Sequence, residues 1–144
     1  MSSLVKISEA ASLAIHTMAL LAREREEHFT NEMIAQRLGA SGHHLAKVMQ
    51  RLVKAGMVES LRGPLGGFRL VVSPEDVELL QVYEAVEGPV ADAGAACPLG
   101  RPACKDKTCV LGTLMCRLHQ QARDYLANTS VEELSLELTC LKKK

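Results

Sequence analysis

Aromatic side chains are scarce in this chain of 144 residues: tryptophan is absent, and Phe, Trp and Tyr together make up 3%. Proteins that bind single-stranded nucleic acid stack bases on aromatic side chains, so this composition argues against that class. Long apolar runs are also missing, since no stretch approaches the roughly 18 apolar residues of a membrane helix. The start of the chain lacks the basic segment and cleavage site of a signal peptide. We therefore expect a cytoplasmic protein without a membrane partner.

Catalytic motifs are missing as well. The sequence has no Ser/His/Asp order, no phosphate-binding glycine loop and no paired-carboxylate pattern, so we expect a protein that is not an enzyme. Hydrophobic residues make up 47% and charged residues 24%, which is typical of a globular domain. The formal net charge of zero conceals a basic block over residues 33–72 and an acidic block over residues 73–92. The basic block suits a polyanionic partner, although two solvated faces of opposite sign explain the charges equally well.

The first half of the chain predicts three helices. Apolar residues recur at helical spacing over residues 8–25 and indicate a first helix with one buried stripe. Thr30 and Asn31 can cap a second helix that Gly39 ends, and Ser41 is a good cap for a third helix that Gly56 ends. Two helices joined by a short turn containing glycine are typical of a helix-turn-helix, in which the third helix reads DNA.

Two short β-rich runs follow, over residues 57–61 and 68–72, around the turn sequence RGPLGG. They predict a hairpin whose tip is too long for a two-residue turn. A helix-turn-helix followed by a hairpin is a winged helix. We expect a further helix from Ser73 to Gly88, a long helix over residues 109–127, and a short last helix that begins with a capping box of Ser130 and Glu133. The fold class is mainly α with one small β-hairpin.

The third helix carries the candidate DNA-reading face. His43, Lys47, Gln50 and Lys54 share one side of it at helical spacing. Lysine and arginine pair with phosphates or guanine edges, and glutamine pairs with adenine. The glycine-rich wing allows the close backbone approach that a phosphate or minor-groove contact requires. An ordinary solvated helix face remains the alternative. The predicted DNA-binding residues are Ser41, His43, His44, Lys47, Gln50, Arg51, Arg62, Gly63 and Arg69.

Four of the 5 cysteines lie close together in the segment CPLGRPACKDKTCVLGTLMC. Cys97, Cys104 and Cys109 occur in an irregular stretch, where each thiolate can turn toward a shared soft metal or cluster. Cys116 lies seven helical steps after Cys109, about 10.5 Å along the axis, so it is a poor partner for the same centre. A zinc site, a reversible disulfide and cysteines without a role are the alternatives.

Several stretches resemble one known family. They are LVKISEAASLAIHTMALLA at the start, HHLAKVMQRLVKAGMVESLRGPLGGFRL through the reader helix and wing, and the three-cysteine segment. This chain resembles the bacterial winged-helix repressors that include the iron–sulfur cluster regulator and the nitric-oxide-sensitive repressor. The wing string RGPLGGF is the most specific part, and together the stretches cover most of the chain.

The resemblance implies a homodimer that binds a palindromic operator in double-stranded DNA. The helix over residues 109–127 would pack on its equivalent in the second copy, and Cys97, Cys104 and Cys109 would hold an iron–sulfur cluster, which we expect to be [2Fe–2S] rather than [4Fe–4S]. Family members with a histidine ligand carry it where this chain has Gly112, so we expect Glu9 from the second copy as the fourth ligand. Cys104 is displaced by one residue from the family's even cysteine spacing.

The predicted organisation is a winged helix-turn-helix domain over residues 1–88, a cysteine-bearing cluster loop over 89–108, and a dimerisation helix with a C-terminal helix over 109–144. The predicted function is a transcription regulator, acting as a repressor, whose operator binding is controlled by a cluster that senses iron–sulfur status, redox state or nitric oxide. One alternative is a regulator without a cluster, controlled by thiol oxidation or a partner protein. Another is a winged-helix adaptor for protein interactions.

Overall fold

The computed structural model describes residues 5–64, 66–91 and 109–138. In chain order the elements are α1 (Glu9–Arg23), α2 (Asn31–Leu38), α3 (Gly42–Lys54), β1 (Val58–Leu61), β2 (Gly67–Leu70), a 3-10 turn (Pro74–Asp76), α4 (Leu79–Glu87), α5 (Val110–Ala127) and α6 (Val131–Glu137). The predicted fold class, mainly helical with one small hairpin, is confirmed. None of the helices in these ranges combines the length and the apolar character that crossing a membrane requires.

The helix-turn-helix forms where its caps predict it. Thr30 and Ser41 each accept a hydrogen bond from a backbone N–H in the first turn of their helices. Gly39, at φ 63°, ends α2 in the left-handed conformation that glycine adopts readily. The Asn31 side chain donates a hydrogen bond to the Gly42 carbonyl oxygen at 2.8 Å. This bond ties the first residue of α2 to the first residue of α3 and fixes the angle between the helices.

The wing is an antiparallel hairpin in which Leu61 pairs with Gly67, so its tip is longer than two residues, as predicted. The Phe68 N–H donates to the Phe29 carbonyl oxygen at 2.8 Å, which joins β2 to the segment that precedes α2. A Cβ on Gly67 would lie 2.7 Å from that same oxygen, so only glycine fits there. The wing is therefore fastened at its base to the helix-turn-helix.

The prediction of one continuous helix over residues 73–88 is wrong in its first half, which forms a short 3-10 turn ahead of α4. Two backbone hydrogen bonds explain the interruption. Val131 N–H donates to the Val77 carbonyl oxygen at 2.8 Å, and Leu79 N–H donates to the Thr129 carbonyl oxygen at 2.9 Å. The chain at this point is extended and pairs with the start of α6 instead of continuing a helix.

The core surrounds α1, which is buried along most of its length against α3, α4 and α6. Met18, Leu45 and Val131 are fully buried there, although they come from distant parts of the sequence. Each such side chain contributes about 1.5–3 kcal/mol through removal from water. In contrast, no residue of α5 is buried in the single chain. Leu111 is 60% exposed and Leu114 is 44% exposed, so the apolar side chains in the first half of this helix have little cover among the described residues.

Candidate DNA-binding surface and sensing region

The reader helix α3 separates its side chains into two faces. Leu45, Val48, Met49 and Leu52 are buried against the domain. His43, Lys47, Gln50 and Lys54 are all exposed on the other side. The residues that the structure describes form no hydrogen bond or ion pair with Lys47 or Lys54. The predicted outward face thus presents cationic and amide donors that phosphates and base edges can accept.

Three other residues of the predicted set on α3 have partners inside the domain. The Arg51 guanidinium donates to the Val86 carbonyl oxygen at 2.6 Å and so contacts the end of α4. Ser41 caps the helix through its hydroxyl oxygen, which accepts from the His44 N–H at 3.4 Å. The imidazole of His44 lies 3.5 Å from a carboxylate oxygen of Glu9. The roles of these residues in DNA binding remain predictions, and each has a structural role as well.

The wing presents Arg62 and Gly63 at its exposed tip, where Gly63 adopts φ 105°. The side chain of Arg69 points along the sheet to Glu59, its partner in the strand register, and forms an ion pair with it. Both members of this pair are partly exposed, so the contact is solvated. Arg62 has no such neighbour among the residues that the structure describes. The two wing arginines therefore differ in the charge that they present to a polyanion.

The cations of the basic block over residues 33–72 likewise include some that are paired with a carboxylate and some that point outward. The Arg37 guanidinium forms an ion pair with Glu24 at 3.2 Å and lies 5.9 Å from the centre of the Phe29 ring. Arg37 is therefore a structural cation that links α2 to the end of α1. Lys47, Lys54 and Arg62 are the cations of this block that point outward. The excess positive charge is concentrated on the outward side of α3 and at the wing tip.

Cys109 is the predicted cluster ligand that the structure describes. It caps α5, and its sulfur accepts a hydrogen bond from the Gly112 N–H at 3.3 Å. The sulfur therefore lies at the N-terminal end of α5, beside the first backbone amides of that helix. Cys97 and Cys104 lie outside the described residues. Cys116 lies within α5, and neither it nor Cys109 forms a disulfide.

Glu9 begins α1 and has a side chain that is 70% exposed. Its carboxylate faces His44 of the same chain. Within residues 5–64, 66–91 and 109–138, no group of three or more histidine, cysteine or acidic side chains is arranged to hold a metal ion. The predicted ligand set is thus divided between described residues on α1 and α5 and the two cysteines outside those ranges.

Sequence reasoning missed the roles of three residues that shape this surface. Asn31, a candidate cap of the second helix, instead joins α2 to α3 through the bond described above, and Thr30 is the cap. Glu78 and Gln81 form a capping box that starts α4, the helix on which Arg51 rests. The pattern of an acidic residue followed three positions later by glutamine is a signal for such a start, and it could have located the break in the predicted helix.

An exposed reader helix and an anchored wing define the class of protein: a winged helix-turn-helix that binds DNA. Comparison with known proteins supports this class and refines it. The family model Rrf2, described as "Iron-dependent Transcriptional regulator", matches residues 7–137. The chain belongs to this family of transcription regulators.

Individual relatives span more than one kind of regulator. The chain is 32% identical over 131 residues to a Bacillus subtilis protein named as the HTH-type transcriptional regulator YwgB, covering 90% of this chain and 84% of that protein. It is 35% identical over 105 residues to the regulator IscR of Aliivibrio salmonicida, covering 72% of this chain and 61% of that protein. The solved structure of CymR, the global cysteine regulator of B. subtilis, superposes with a TM-score of 0.74 at 25% identity, covering 92% of this chain and 98% of that one.

Proposed function

We propose that this protein is a homodimeric repressor that binds a palindromic operator and is controlled by an iron–sulfur cluster. The observation that carries the DNA-binding part is the outward face of α3, where Lys47 and Gln50 are exposed. Arg62 adds a cation at the wing tip. A two-fold symmetric pair of such surfaces reads two half-sites in opposite orientation, which is why the operator would be a palindrome.

The exposed stripe of α5 supports the homodimer. Leu111, Leu114 and Met115 are 60%, 44% and 39% exposed, and they lie at helical spacing on one helix. Burial of this apolar surface against a second copy is favourable by about 25 cal/mol for each Å². We assign residues 1–88 to the winged-helix domain and α5 to the dimer interface. The last helix, α6, packs on α1 through Val131.

The cysteine chemistry supports the cluster. Cys109 offers a sulfur that already accepts an amide hydrogen bond at the start of α5. Cys97 and Cys104 would complete a three-thiolate set, with Glu9 of the second copy as the fourth ligand, and we infer a [2Fe–2S] rather than a [4Fe–4S] cluster. A bound cluster supplies a centre that gains and loses electrons and reacts with small oxidants. The family's iron-dependent description and the similarity to IscR point in the same direction.

Purification without oxygen tests the cluster directly. We expect coloured protein with iron and acid-labile sulfide, and a visible absorption spectrum that is lost in C97S, C104S and C109S. C116S is the matched control and should keep the spectrum, because Cys116 lies within α5, away from the proposed centre. Protein that stays colourless and free of iron after reconstitution would contradict the proposal. Operator affinity measured on the same samples shows whether the cluster promotes or opposes binding.

The similarity to CymR favours a second candidate function, control by thiol oxidation without a cluster. In that case iron-free protein treated with peroxide should change its operator affinity, and a thiol reductant should restore it. Serine at Cys97, Cys104 and Cys109 should abolish the response in both candidates. Iron and sulfide content therefore separates them, since only the first requires both elements.

A further inference from the structure

The C-terminal end of α4 holds the reader helix. Glu87 is the last residue of α4, and Gly88 follows it at φ 92°. Pro89 cannot extend the helix, because proline has no backbone N–H and its ring would clash with a carbonyl group one turn earlier. The Val86 carbonyl oxygen is one of the last four of α4, which lack the usual partner one turn further on. It accepts a hydrogen bond from the Arg51 guanidinium at 2.6 Å, so the end of α4 is an anchor for α3.

The same helix end sets the course of the chain toward the cysteines. In a helix that continued, the Val90 N–H would donate to the Val86 carbonyl oxygen. It donates instead to the Glu84 carboxylate at 2.9 Å. At the next residue, the Ala91 carbonyl oxygen accepts a hydrogen bond from Nε2 of His119 on α5, also at 2.9 Å. The chain is thus fixed to both α4 and α5 just ahead of the predicted cluster ligands.

These two bonds fix a short segment that burial alone does not hold. Val90 is only partly buried and Ala91 is exposed. A change that begins at Cys97 or Cys104 enters the described part of the chain at residue 91. To go further, it must break the two bonds or move the end of α4 together with the reader helix that Arg51 fastens to it. Contiguous hydrogen-bond networks and packed helices of this kind carry coupling between distant sites.

We propose that Glu84 and His119 are positioning residues that couple the state of the cysteines to the reader helix. They hold the chain where it enters the cysteine-bearing stretch, and α4 passes a change in that position to Arg51 through the Val86 carbonyl oxygen. This inference rests on the proposed control by a cluster or by thiol oxidation. It adds the route by which that control reaches the DNA-binding face.

The ratio of operator affinities in the two cysteine states tests the coupling. Fluorescence anisotropy measures it between cluster-loaded and iron-free protein, or between reduced and peroxide-treated protein if no cluster binds. For the parent protein we expect a ratio of about 5 to 150, the usual range for coupled sites. H119A and E84A should each bring the ratio several-fold closer to unity, with the iron and sulfide content of the parent, because each breaks one link of the network.

Conservative variants separate positioning from a general loss of structure. H119Q keeps an N–H donor near the place of Nε2, and E84Q keeps an acceptor oxygen, so both should retain the ratio of the parent. Q120A is the matched control on α5, because the Gln120 amide donates to Asp124 and not to residues 90–91. It should also switch as the parent does. If H119Q and E84Q lower the ratio as much as the alanine variants, the two hydrogen bonds are not the cause and the proposal fails.

Amide hydrogen exchange, followed by NMR on iron-free protein, gives a second measurement that needs no cluster. The Val90 N–H should exchange faster in E84A, which removes its acceptor, and in H119A, which releases residue 91. R51M breaks the last link instead. It should lower the affinity ratio and leave the exchange of the Val90 N–H as in the parent.

The outcomes distinguish this inference from the proposed function. A parent protein whose operator affinity is the same in both cysteine states overturns the proposed control and the coupling together. Parental affinity ratios in H119A and E84A overturn the coupling alone and leave the proposed function standing. Unchanged exchange of the Val90 N–H in both variants has the same meaning, because the two side chains would then not hold this segment.

Discussion

The carboxylate of Glu9 and the imidazole of His44 lie 3.5 Å apart, which joins the start of α1 to the start of the reader helix. Glu9 is the predicted fourth cluster ligand, and His44 is a predicted DNA contact. Glu9 is exposed and His44 is partly exposed, so the pair contributes at most about 1 kcal/mol to stability. The position of Glu9 matters more than this energy. If its carboxylate binds a cluster in the second copy, it also lies beside the reader helix of its own chain.

Replacing Glu9 with glutamine separates these two roles. E9Q should leave the free energy of unfolding within about 0.5 kcal/mol of the parent, because the side chain is exposed. If Glu9 is a ligand, the cluster absorption of E9Q should shift or decay faster in air. The matched control is E26Q, at an exposed position just beyond α1. An unchanged spectrum with the same decay rate as E26Q would remove Glu9 from the ligand set.

Lys47 should contribute to DNA affinity through a phosphate contact. K47A should weaken binding to operator and unrelated DNA alike, and it should reduce the slope of log K against log salt by about 1. Binding measured by fluorescence anisotropy at several salt concentrations checks this. Affinity that is insensitive to salt in the parent protein would instead favour a winged helix used as a protein adaptor.

The two wing arginines should behave differently. R62A should weaken operator binding more than R69A, because Glu59 already offsets the charge of Arg69 in the hairpin. We expect a loss of about 1 kcal/mol for R62A and a smaller loss for R69A. The double variant E59Q/R69A controls for the broken ion pair. A larger loss for R69A than for R62A would show that Arg69 leaves Glu59 when DNA binds.

Arg51 should act on stability rather than as a phosphate contact. R51M removes the hydrogen bond to the Val86 carbonyl oxygen while keeping an apolar stem. We expect the free energy of unfolding to fall by about 1–2 kcal/mol, since a hydrogen bond from a charged donor is lost. Urea titration measures this change, and the salt slope of operator binding should stay as in the parent. Parental stability with a salt slope lower by about 1 would indicate a DNA contact instead.

The stripe on α5 should control assembly. L114E places a charge on the exposed apolar face and should convert a dimer into a monomer in sedimentation experiments, with operator affinity falling because two half-sites are no longer bound together. L136E is the matched control, because Leu136 is exposed on α6 and lies outside the stripe. A dimer that survives L114E and dissociates in L136E would place the interface on α6.

Local signals in the sequence predicted the winged helix well. The caps Thr30, Ser41 and Ser130 mark real helix starts, and the glycine-rich string marks a real hairpin tip. These features depend on neighbouring residues, so periodicity and capping chemistry were sufficient to find them. The break before α4 has a local signal in Glu78 and Gln81, but the pairing of Val77 with Val131, more than fifty residues further along the chain, has none.

For the candidate site too, the sequence predicted what depends on neighbouring residues and missed what depends on contacts between distant ones. Helical spacing predicted correctly that Lys47 and Gln50 lie on one exposed face. Spacing could not reveal that Arg51 bonds to Val86 or that His44 faces Glu9, because these partners meet only when α1, α3 and α4 pack together. The Glu59–Arg69 pair likewise depends on the strand register of the hairpin, which the structure shows and which the two predicted strand runs did not specify.

The hydrogen bond between Phe68 and Phe29 has a mechanical consequence. This bond joins the hairpin to the helix-turn-helix, so each winged-helix domain of the dimer behaves as one rigid unit. Deforming that domain would break the contact that Gly67 permits. Regulation in the proposed dimer is therefore expected to alter the distance or the angle between two intact winged-helix domains. A shift of the two α5 helices against each other would achieve this, with no refolding of either domain.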